Sequence, residues 1–151
     1  MASTRPGATA ISVVVPDASV LLKWVLPGDD EPGTASALSL LDEARAGAIK
    51  LAVPQLWLYE VGNTLVRRFP DQANDLLTSL VDFQLTEVRP DERWREQTVE
   101  LAIAYGVTFY DAAYHAVALL RDGIFVTADE RYIRRASGGG NVVLLGRWSS
   151  V

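Results

Sequence analysis

The sequence VVVPDASVLLKW, residues 13–24, combines a predicted strand and a predicted helix around one acidic residue. Its three consecutive valines end at Pro16 and predict a short buried strand, because β-branched residues favour strands. The residues after Asp17 have the amphipathic spacing of a helix. Asp17 therefore lies where a strand ends and a helix begins, which is where open α/β sheets bind their ligands. The alternative is that Asp17 only caps the helix, since Asp is a preferred N-cap residue.

The composition narrows the possible functions. A chain of 151 residues without cysteine has no disulfide and no thiolate zinc site, and its single histidine argues against a histidine-rich metal site. The net charge of −5 argues against a nucleic-acid binder that relies on a basic surface. It permits a metal enzyme with clustered carboxylates, or a basic protein partner. The apolar run at residues 10–26 is interrupted by Pro16, Asp17 and Lys23, so we expect neither a membrane span nor a signal peptide.

The order of the predicted elements indicates an α/β fold. We expect strands at 11–15, 50–53, 86–89, 124–127 and 142–145, and helices at 18–26, 34–46, 54–69, 71–83, 91–105, 109–121 and 130–136. Thr34 is expected to cap the second helix, Pro54 to open the third, and residues 137–140 to form a flexible loop. Strands that alternate with helices predict a parallel sheet covered on both faces. We expect residues 1–10 to be a flexible N-terminus and 11–151 to be a single domain.

Four acidic residues stand where this arrangement allows them to converge. Asp17 follows the first strand and Asp129 follows the fourth, while Glu60 and Asp111 lie on the third and sixth helices. If the sheet order is 3-2-1-4-5, the first and fourth strands are neighbours at the topological switch point, and Asp17 and Asp129 face one crevice. Clustered carboxylates are the ligands expected for Mg²⁺ or Mn²⁺, which activate water in phosphoryl transfer.

Each acid also has a purely structural interpretation. Asp111 follows Thr108 by three residues, as in a capping box. In this interpretation Asp129 caps the basic helix that follows it or pairs with one of the arginines of that helix. Glu60 is then a residue on a solvated helix face. No P-loop, H-E-x-x-H or G-x-S-x-G motif offers a rival active site.

Four segments of the chain resemble the PIN-domain family, and more closely the VapC-type toxins of prokaryotic toxin–antitoxin pairs. In chain order they are VVVPDASVLLKWVLP, VPQLWLYEVGNTL, TFYDAAYHAVALL and FVTADERYIRR, and the resemblance extends over residues 12–145. It implies a three-layer α/β/α sandwich with a five-stranded parallel sheet, for which we expect the order 3-2-1-4-5. It also implies a Mg²⁺- or Mn²⁺-dependent endoribonuclease, a homodimer, a small antitoxin that occludes the site, and a location in the prokaryotic cytoplasm.

Transferred residue by residue, the resemblance implies a catalytic and metal-binding quartet of Asp17, Glu60, Asp111 and Asp129. Three of these, Asp17, Asp111 and Asp129, are expected to ligate the metal, and Glu60 to complete the shell or orient the attacking water. Supporting polar positions fall on Ser19, Asn63 and Thr127. The implied products carry a 5′-phosphate and a free 3′-hydroxyl. His115 departs from the pattern, because we expect an aliphatic residue there; it is either a proton donor at the rim or a half-buried helix residue.

The basic and aromatic residues have two interpretations each. Arg131, Arg134 and Arg135 either hold RNA phosphates or form a solvated helix face. Trp24 and Trp57 are expected in the core, although tryptophan also stacks on bases.

Two functions of other classes remain as alternatives. One is a PIN-like domain that only binds RNA or protein. The other, an aspartate-based phosphotransfer domain of the haloacid-dehalogenase type, is disfavoured because Ser19 stands where its D-x-D motif needs a second Asp.

Overall fold

The computed structural model describes residues 11–26 and 32–148 of the chain. Its strands are β1 (Ser12–Pro16), β2 (Ile49–Pro54), β3 (Thr86–Val88), β4 (Ile124–Thr127) and β5 (Val142–Leu144). Its helices are α1 (Ala18–Val25), α2 (Thr34–Arg45), α3 (Trp57–Arg68), α4 (Ala73–Val81), α5 (Glu92–Tyr105), α6 (Phe109–Leu120) and α7 (Glu130–Ala136). The residues 1–10, predicted to form a flexible N-terminus, lie outside the described ranges.

The five strands form one parallel sheet in the order β3-β2-β1-β4-β5. The strand β1 is central: Val14 pairs with Leu51 of β2 on one side and with Ile124 of β4 on the other. The three-layer α/β/α sandwich with the order 3-2-1-4-5 is therefore confirmed. Because the order reverses at β1, the carboxyl ends of β1 and β4 flank the crevice in which such sheets bind ligands.

The helix α6 forms the centre of the core. It packs against β1, β2 and β4, and its residues 112–118 are all buried. Four of these seven residues, Ala112, Ala113, Ala116 and Ala118, have small side chains that allow the helix to approach the sheet closely. Trp24 and Trp57 are buried as expected, and their indole N–H groups donate to the Ala37 carbonyl and the Glu87 carboxylate.

Three local predictions are wrong. Pro54 is the last residue of β2 and pairs with Val88, so the third helix begins at Trp57. Gly33, not Thr34, occupies the cap position of α2, in a left-handed conformation (φ 84°) that glycine adopts without strain. Residues 137–139 form a 3-10 helix instead of a flexible loop, because Gly139 packs directly on His115.

No helix among residues 11–26 and 32–148 has both the length and the apolar character needed to cross a membrane.

Gly123 is required where β4 begins beside β1. A Cβ atom at this position would lie 2.6 Å from the backbone oxygen of Val13 and 3.0 Å from its Cβ. A backbone atom of a central strand cannot move aside as a flexible side chain does, so we expect Gly123→Ala to lower the free energy of unfolding by at least about 1–3 kcal/mol. Urea denaturation followed by circular dichroism measures this loss.

Gly146→Ala is the matched control, because a Cβ atom there meets no other atom within 4 Å. Its denaturation midpoint should stay close to that of the wild type. Equal midpoints for the two variants would show that the approach of Gly123 to Val13 does not constrain the sheet.

Candidate active site

Asp17 lies at the carboxyl end of β1, between β1 and β4. Its backbone N–H donates to the Val126 carbonyl at 3.2 Å and so continues the pairing of the two strands. Its Oδ1 accepts hydrogen bonds from the Ser19 hydroxyl at 2.5 Å and from the Val20 N–H at 3.2 Å, and its Oδ2 accepts one from the Thr127 hydroxyl at 2.5 Å. The bond from Val20 is an N-cap, so the structural interpretation of Asp17 holds together with its place in the crevice.

Asp129 follows β4 and is joined to Asp17 through Thr127. The Thr127 hydroxyl oxygen accepts the Asp129 N–H at 3.0 Å while its proton goes to Asp17. The Asp129 Oδ1 atom accepts the N–H groups of Arg131 (2.9 Å) and Tyr132 (3.3 Å), which caps α7. A single threonine thus connects the two aspartates that follow neighbouring strands.

Asp111 and Glu60 come from the first turns of α6 and α3. The Asp111 N–H donates to the Thr108 hydroxyl oxygen at 3.1 Å, so Thr108 caps α6 as one side of the predicted capping box. The bond itself uses the backbone of Asp111, and the Thr108 hydroxyl is also close enough to the Asp111 carboxyl to lower its pKa. The Oε1 atom of Glu60 is buried and has no hydrogen-bond partner among the described residues.

The four carboxylates, which we call the acidic cluster, influence one another electrostatically. Burial raises the pKa of Asp17, and the charge of Asp111 raises it further, against the hydrogen bonds that stabilise the ionised form. Burial also raises the pKa of Glu60, and the charges of Asp111 and Asp17 add to this effect. The pKa of Asp111 is raised by burial and by the charge of Asp129, and the Thr108 hydroxyl and the charge of Arg131 oppose the shift. The cluster therefore holds negative charge that the fold does not fully compensate.

Tyr114 belongs to this site and was missed by the sequence analysis. Its hydroxyl is buried without a partner of good geometry among the described residues, but it is close enough to Glu60 to lower the pKa of that carboxyl. Burial, together with the charge of Glu60, raises the pKa of Tyr114 far above its ordinary value, so its phenol keeps its proton. The available signal was its position on α6, nearly one helical turn after Asp111.

A cleft of about 360 Å³ opens beside the cluster. Asp111 and Asp129 line it together with Arg131, Tyr132 and Arg135, and the segment 106–108 forms another part of its wall. The Arg135 side chain also donates to the Gly106 carbonyl at 2.9 Å. Carboxylates and guanidinium groups therefore share one concave surface, which suits a phosphate group held next to a cation.

The donor chemistry of the cluster fits a hard divalent cation. Carboxylate oxygens, the unpartnered Glu60 Oε1 and the mutually raised pKa values all favour an added positive charge. In the part of the chain that the structure describes, no three acidic or histidine side chains are close enough to hold one ion as they stand. Coordination by three of them therefore requires the side chains to move toward the ion.

The other predicted site residues are more dispersed. Asn63 lies one turn after Glu60 with an exposed side chain. Arg134 lies outside the cleft, in a second groove beside β5, 4.0 Å from Glu130. His115 is fully buried, so it is not at the rim.

Fold and site together define an α/β protein with an acidic centre at the carboxyl edge of a parallel sheet. The family model of the PIN domain matches residues 14–138, and the chain belongs to this family. It is 29% identical over 103 residues to the exonuclease VapC9 of Pyrobaculum aerophilum, a match that covers 64% of this chain and 74% of the relative.

Solved structures share the fold at lower identity. A toxin–antitoxin complex from Klebsiella pneumoniae aligns with a TM-score of 0.63 at 17% identity, over 87% of this chain and 97% of the other. VapBC2 from Rickettsia felis, bound to a DNA fragment from its promoter, aligns with a TM-score of 0.62 at 14% identity, over 87% and 96%.

The crowding of carboxylates in the acidic cluster leads us to predict how the stability of the protein depends on pH. A carboxyl group with a raised pKa in the folded state contributes stability below its ordinary pKa, 3.8 for Asp and 4.5 for Glu, and that contribution is lost as the pH rises through the folded pKa. Asp111→Asn removes one charge and keeps the Thr108 cap. We therefore expect it to melt above the wild type in EDTA at pH 7 and to lose less stability between pH 4 and pH 7, as measured by circular dichroism.

Asp75→Asn is the control, because Asp75 holds the same third position in α4 but is exposed and outside the cluster. This variant should not melt higher than the wild type. A lower melting temperature of Asp111→Asn in EDTA would contradict the crowding, and would indicate that the carboxylate mainly stabilises the start of α6.

Proposed function

We propose that this protein is a metal-dependent endoribonuclease and the toxin of a toxin–antitoxin pair. The observation that carries the proposal is the acidic cluster at the carboxyl edge of a PIN-domain sheet, where burial and neighbouring carboxylates raise the pKa values of Glu60 and Asp111. The similarity to VapC9 supports nuclease chemistry. We further propose that residues 11–151 act as one nuclease domain in the prokaryotic cytoplasm.

The residues have distinct roles in the proposed reaction. Asp17, Asp111 and Asp129 would hold Mg²⁺ or Mn²⁺, which when bound supplies charge stabilisation and a more acidic water. Ser19 and Thr127 orient Asp17 through their hydroxyl groups. Glu60 completes the shell or orients the attacking water, and the protonated Tyr114 hydroxyl lies beside it. Asn63 is proposed to support this side of the site from the next turn of α3.

The substrate is held by the cleft. Arg131 and Arg135 line it together with Asp111 and Asp129 and would bind the phosphates on either side of the scissile bond. Water attacks the phosphorus atom, the bond from phosphorus to O3′ breaks, and a proton is transferred to O3′. The products are a 5′-phosphate and a free 3′-hydroxyl. Arg134, which lies in a different groove, would contribute only to RNA that extends past α7.

Asp17→Asn and Asp129→Asn should each lower the rate of RNA cleavage by at least about a hundredfold, as expected when a charged group is removed from a preorganised active site. The substrate is a circular single-stranded RNA, because only an endonuclease cuts a circle and the relative VapC9 is named an exonuclease. The rate of conversion of the circle to linear RNA, with Mn²⁺ and with EDTA, is the measurement.

Glu96→Gln is the matched control, since Glu96 is an exposed acid of α5 outside the cleft. Full activity in EDTA, or in either Asn variant, would refute the metal site. Degradation of linear RNA with an intact circle would assign exonuclease activity instead. RNA binding without cleavage of either substrate would favour the alternative of a domain that only binds.

We also propose a small antitoxin as the partner. Its basic or arginine-bearing segment would lie over the acidic cluster, attracted by the uncompensated charge and by the net charge of −5. The Klebsiella pneumoniae structure, a toxin–antitoxin complex with the same fold, supports this assignment. The active form is proposed to be a homodimer, which light scattering of the purified protein measures.

Coexpression with the untagged product of a short adjacent reading frame should yield a complex without ribonuclease activity. The double variant Asp17→Asn/Asp129→Asn should bind this product at least about tenfold more weakly, because two charges of the cluster are removed. The double variant Glu96→Gln/Glu100→Gln changes the net charge equally outside the cleft and should bind normally. An equal loss of affinity in both double variants would show that only the net charge matters. Full ribonuclease activity of the wild type at saturating partner would refute occlusion of the site.

A further inference from the structure

His115 forms a buried hydrogen-bonded link for which the proposed reaction has no use. The side chain is 0% exposed; its Nε2 lies 2.6 Å from the Gly140 carbonyl oxygen, and its Nδ1 lies 2.7 Å from the Tyr132 hydroxyl. A carbonyl oxygen only accepts, so Nε2 carries the proton and Nδ1 of the neutral ring accepts from Tyr132. Burial lowers the pKa of His115, which favours this neutral form.

The link joins the elements that carry the acidic cluster. His115 lies on α6, one helical turn after Asp111. Tyr132 lies on α7, whose N-cap is Asp129, and its backbone N–H donates to that cap. The two hydrogen bonds of His115 therefore attach α7 to α6, the helix that carries Asp111. One is made near the start of α7, at Tyr132, and the other is made beyond its end, at Gly140.

Ring packing extends the link to β4. Phe125 lies two residues before Thr127, and its ring centroid is 5.7 Å from that of His115 and 5.3 Å from that of Tyr132. The rings of His115 and Tyr132 are 5.6 Å apart. The same three elements that bear Asp111, Thr127 and Asp129 thus meet in one buried group of rings below the cleft.

The segment after α7 is fitted closely to the histidine. A Cβ atom on Gly139 would lie 3.1 Å from His115 Cε1 and 3.3 Å from atoms of Leu101 and Tyr105. Side chains rarely tolerate contacts this short, so the backbone at Gly139 leaves little room for a side chain next to His115. The position of α7 is therefore coupled to the position of the imidazole.

We propose that His115 is a positioning residue that sets the separation of Asp111 and Asp129 by fixing α7 against α6. The inference rests on the proposed function, because the two carboxylates are proposed to hold one cation. Without the two buried hydrogen bonds, α7 would keep the exposed hydrogen bond from Arg135 to the Gly106 carbonyl and its apolar contacts, which are not directional. The carboxylates would then be held less accurately, and the cation would bind less tightly.

The test compares two substitutions at the same site. Gln offers an amide N–H for the Gly140 carbonyl and an oxygen for the Tyr132 hydroxyl, whereas Leu offers only apolar volume. We expect His115→Leu to weaken Mn²⁺ binding about tenfold in titration calorimetry, as removal of residues that orient metal ligands does, and His115→Gln to recover part of the loss. If His115 only fills the core, the order of the two variants should be reversed, and His115→Gln should bind Mn²⁺ less tightly than His115→Leu. The reason is that an amide without hydrogen-bond partners is costly in an apolar site.

Leu80→Ala is the control for lost stability. Leu80 is fully buried in α4, away from α6 and α7, and its truncation should lower the melting temperature without changing the Mn²⁺ affinity. His115→Leu with wild-type Mn²⁺ affinity would overturn the inference while leaving the proposed metal site intact.

Hydrogen exchange of the metal-free protein tests the link without any cation. The amides of residues 130–141 should exchange faster in His115→Leu than in the wild type, and faster than in Leu80→Ala after correction for global stability. Unchanged exchange in this segment would overturn the inference. If the wild type binds no Mn²⁺ but exchange in His115→Leu is faster, the proposed function fails and the link between α6 and α7 stands.

Discussion

The hydrogen bond from Thr127 to Asp17 is the contact on which the rest of the site depends. It joins the carboxyl ends of β1 and β4 through side chains, immediately beyond the last backbone pairing of the two strands. Because the same hydroxyl oxygen accepts the Asp129 N–H, the orientation of one carboxylate determines where the chain turns into α7. Thr127 is fully buried, so its hydroxyl has no water to exchange for these partners.

The carboxylates of the site combine structural roles with the chemical roles that we propose for them. Asp17 and Asp129 each cap a helix, and Asp111 accompanies the cap formed by Thr108. For Asp17 and Asp111, burial and the charge of a neighbouring carboxylate raise the pKa, and hydrogen bonds to hydroxyl groups oppose that shift. Helix N-termini also carry partial positive charge, which makes the crowding of negative charge less costly. A capping role is therefore no evidence against a functional one here, since the caps are what allow the charges to be held close together.

Much of the fold was predictable because it follows from local pattern and topology. The strand order and the convergence of Asp17 with Asp129 follow from strands that alternate with helices. The errors arose where a tertiary contact overrides local preference. Pro54 favours a helix start, yet pairing with β3 keeps it in β2. The glycines at 138–140 indicate flexibility, yet Gly139 packs on the buried His115 and the Gly140 carbonyl accepts a hydrogen bond from it. Tyr114 could not be assigned to the site because an aromatic residue on an apolar helix is usually a core residue. Its proximity to Glu60 also depends on the tertiary structure, since α3 and α6 are far apart in the sequence.

The N-cap of α7 has a consequence for binding. Both hydrogen bonds that Asp129 accepts go to Oδ1, so the cap restricts the torsions of this side chain in the folded protein. The rotational freedom of this side chain is lost when the protein folds and not when a ligand arrives. Since each side chain immobilised on association costs about 0.5–1.5 kcal/mol, a carboxylate ordered in advance retains that affinity for its ligand. The entropic cost of ordering the Asp129 side chain is therefore part of the free energy of folding and not of ligand binding.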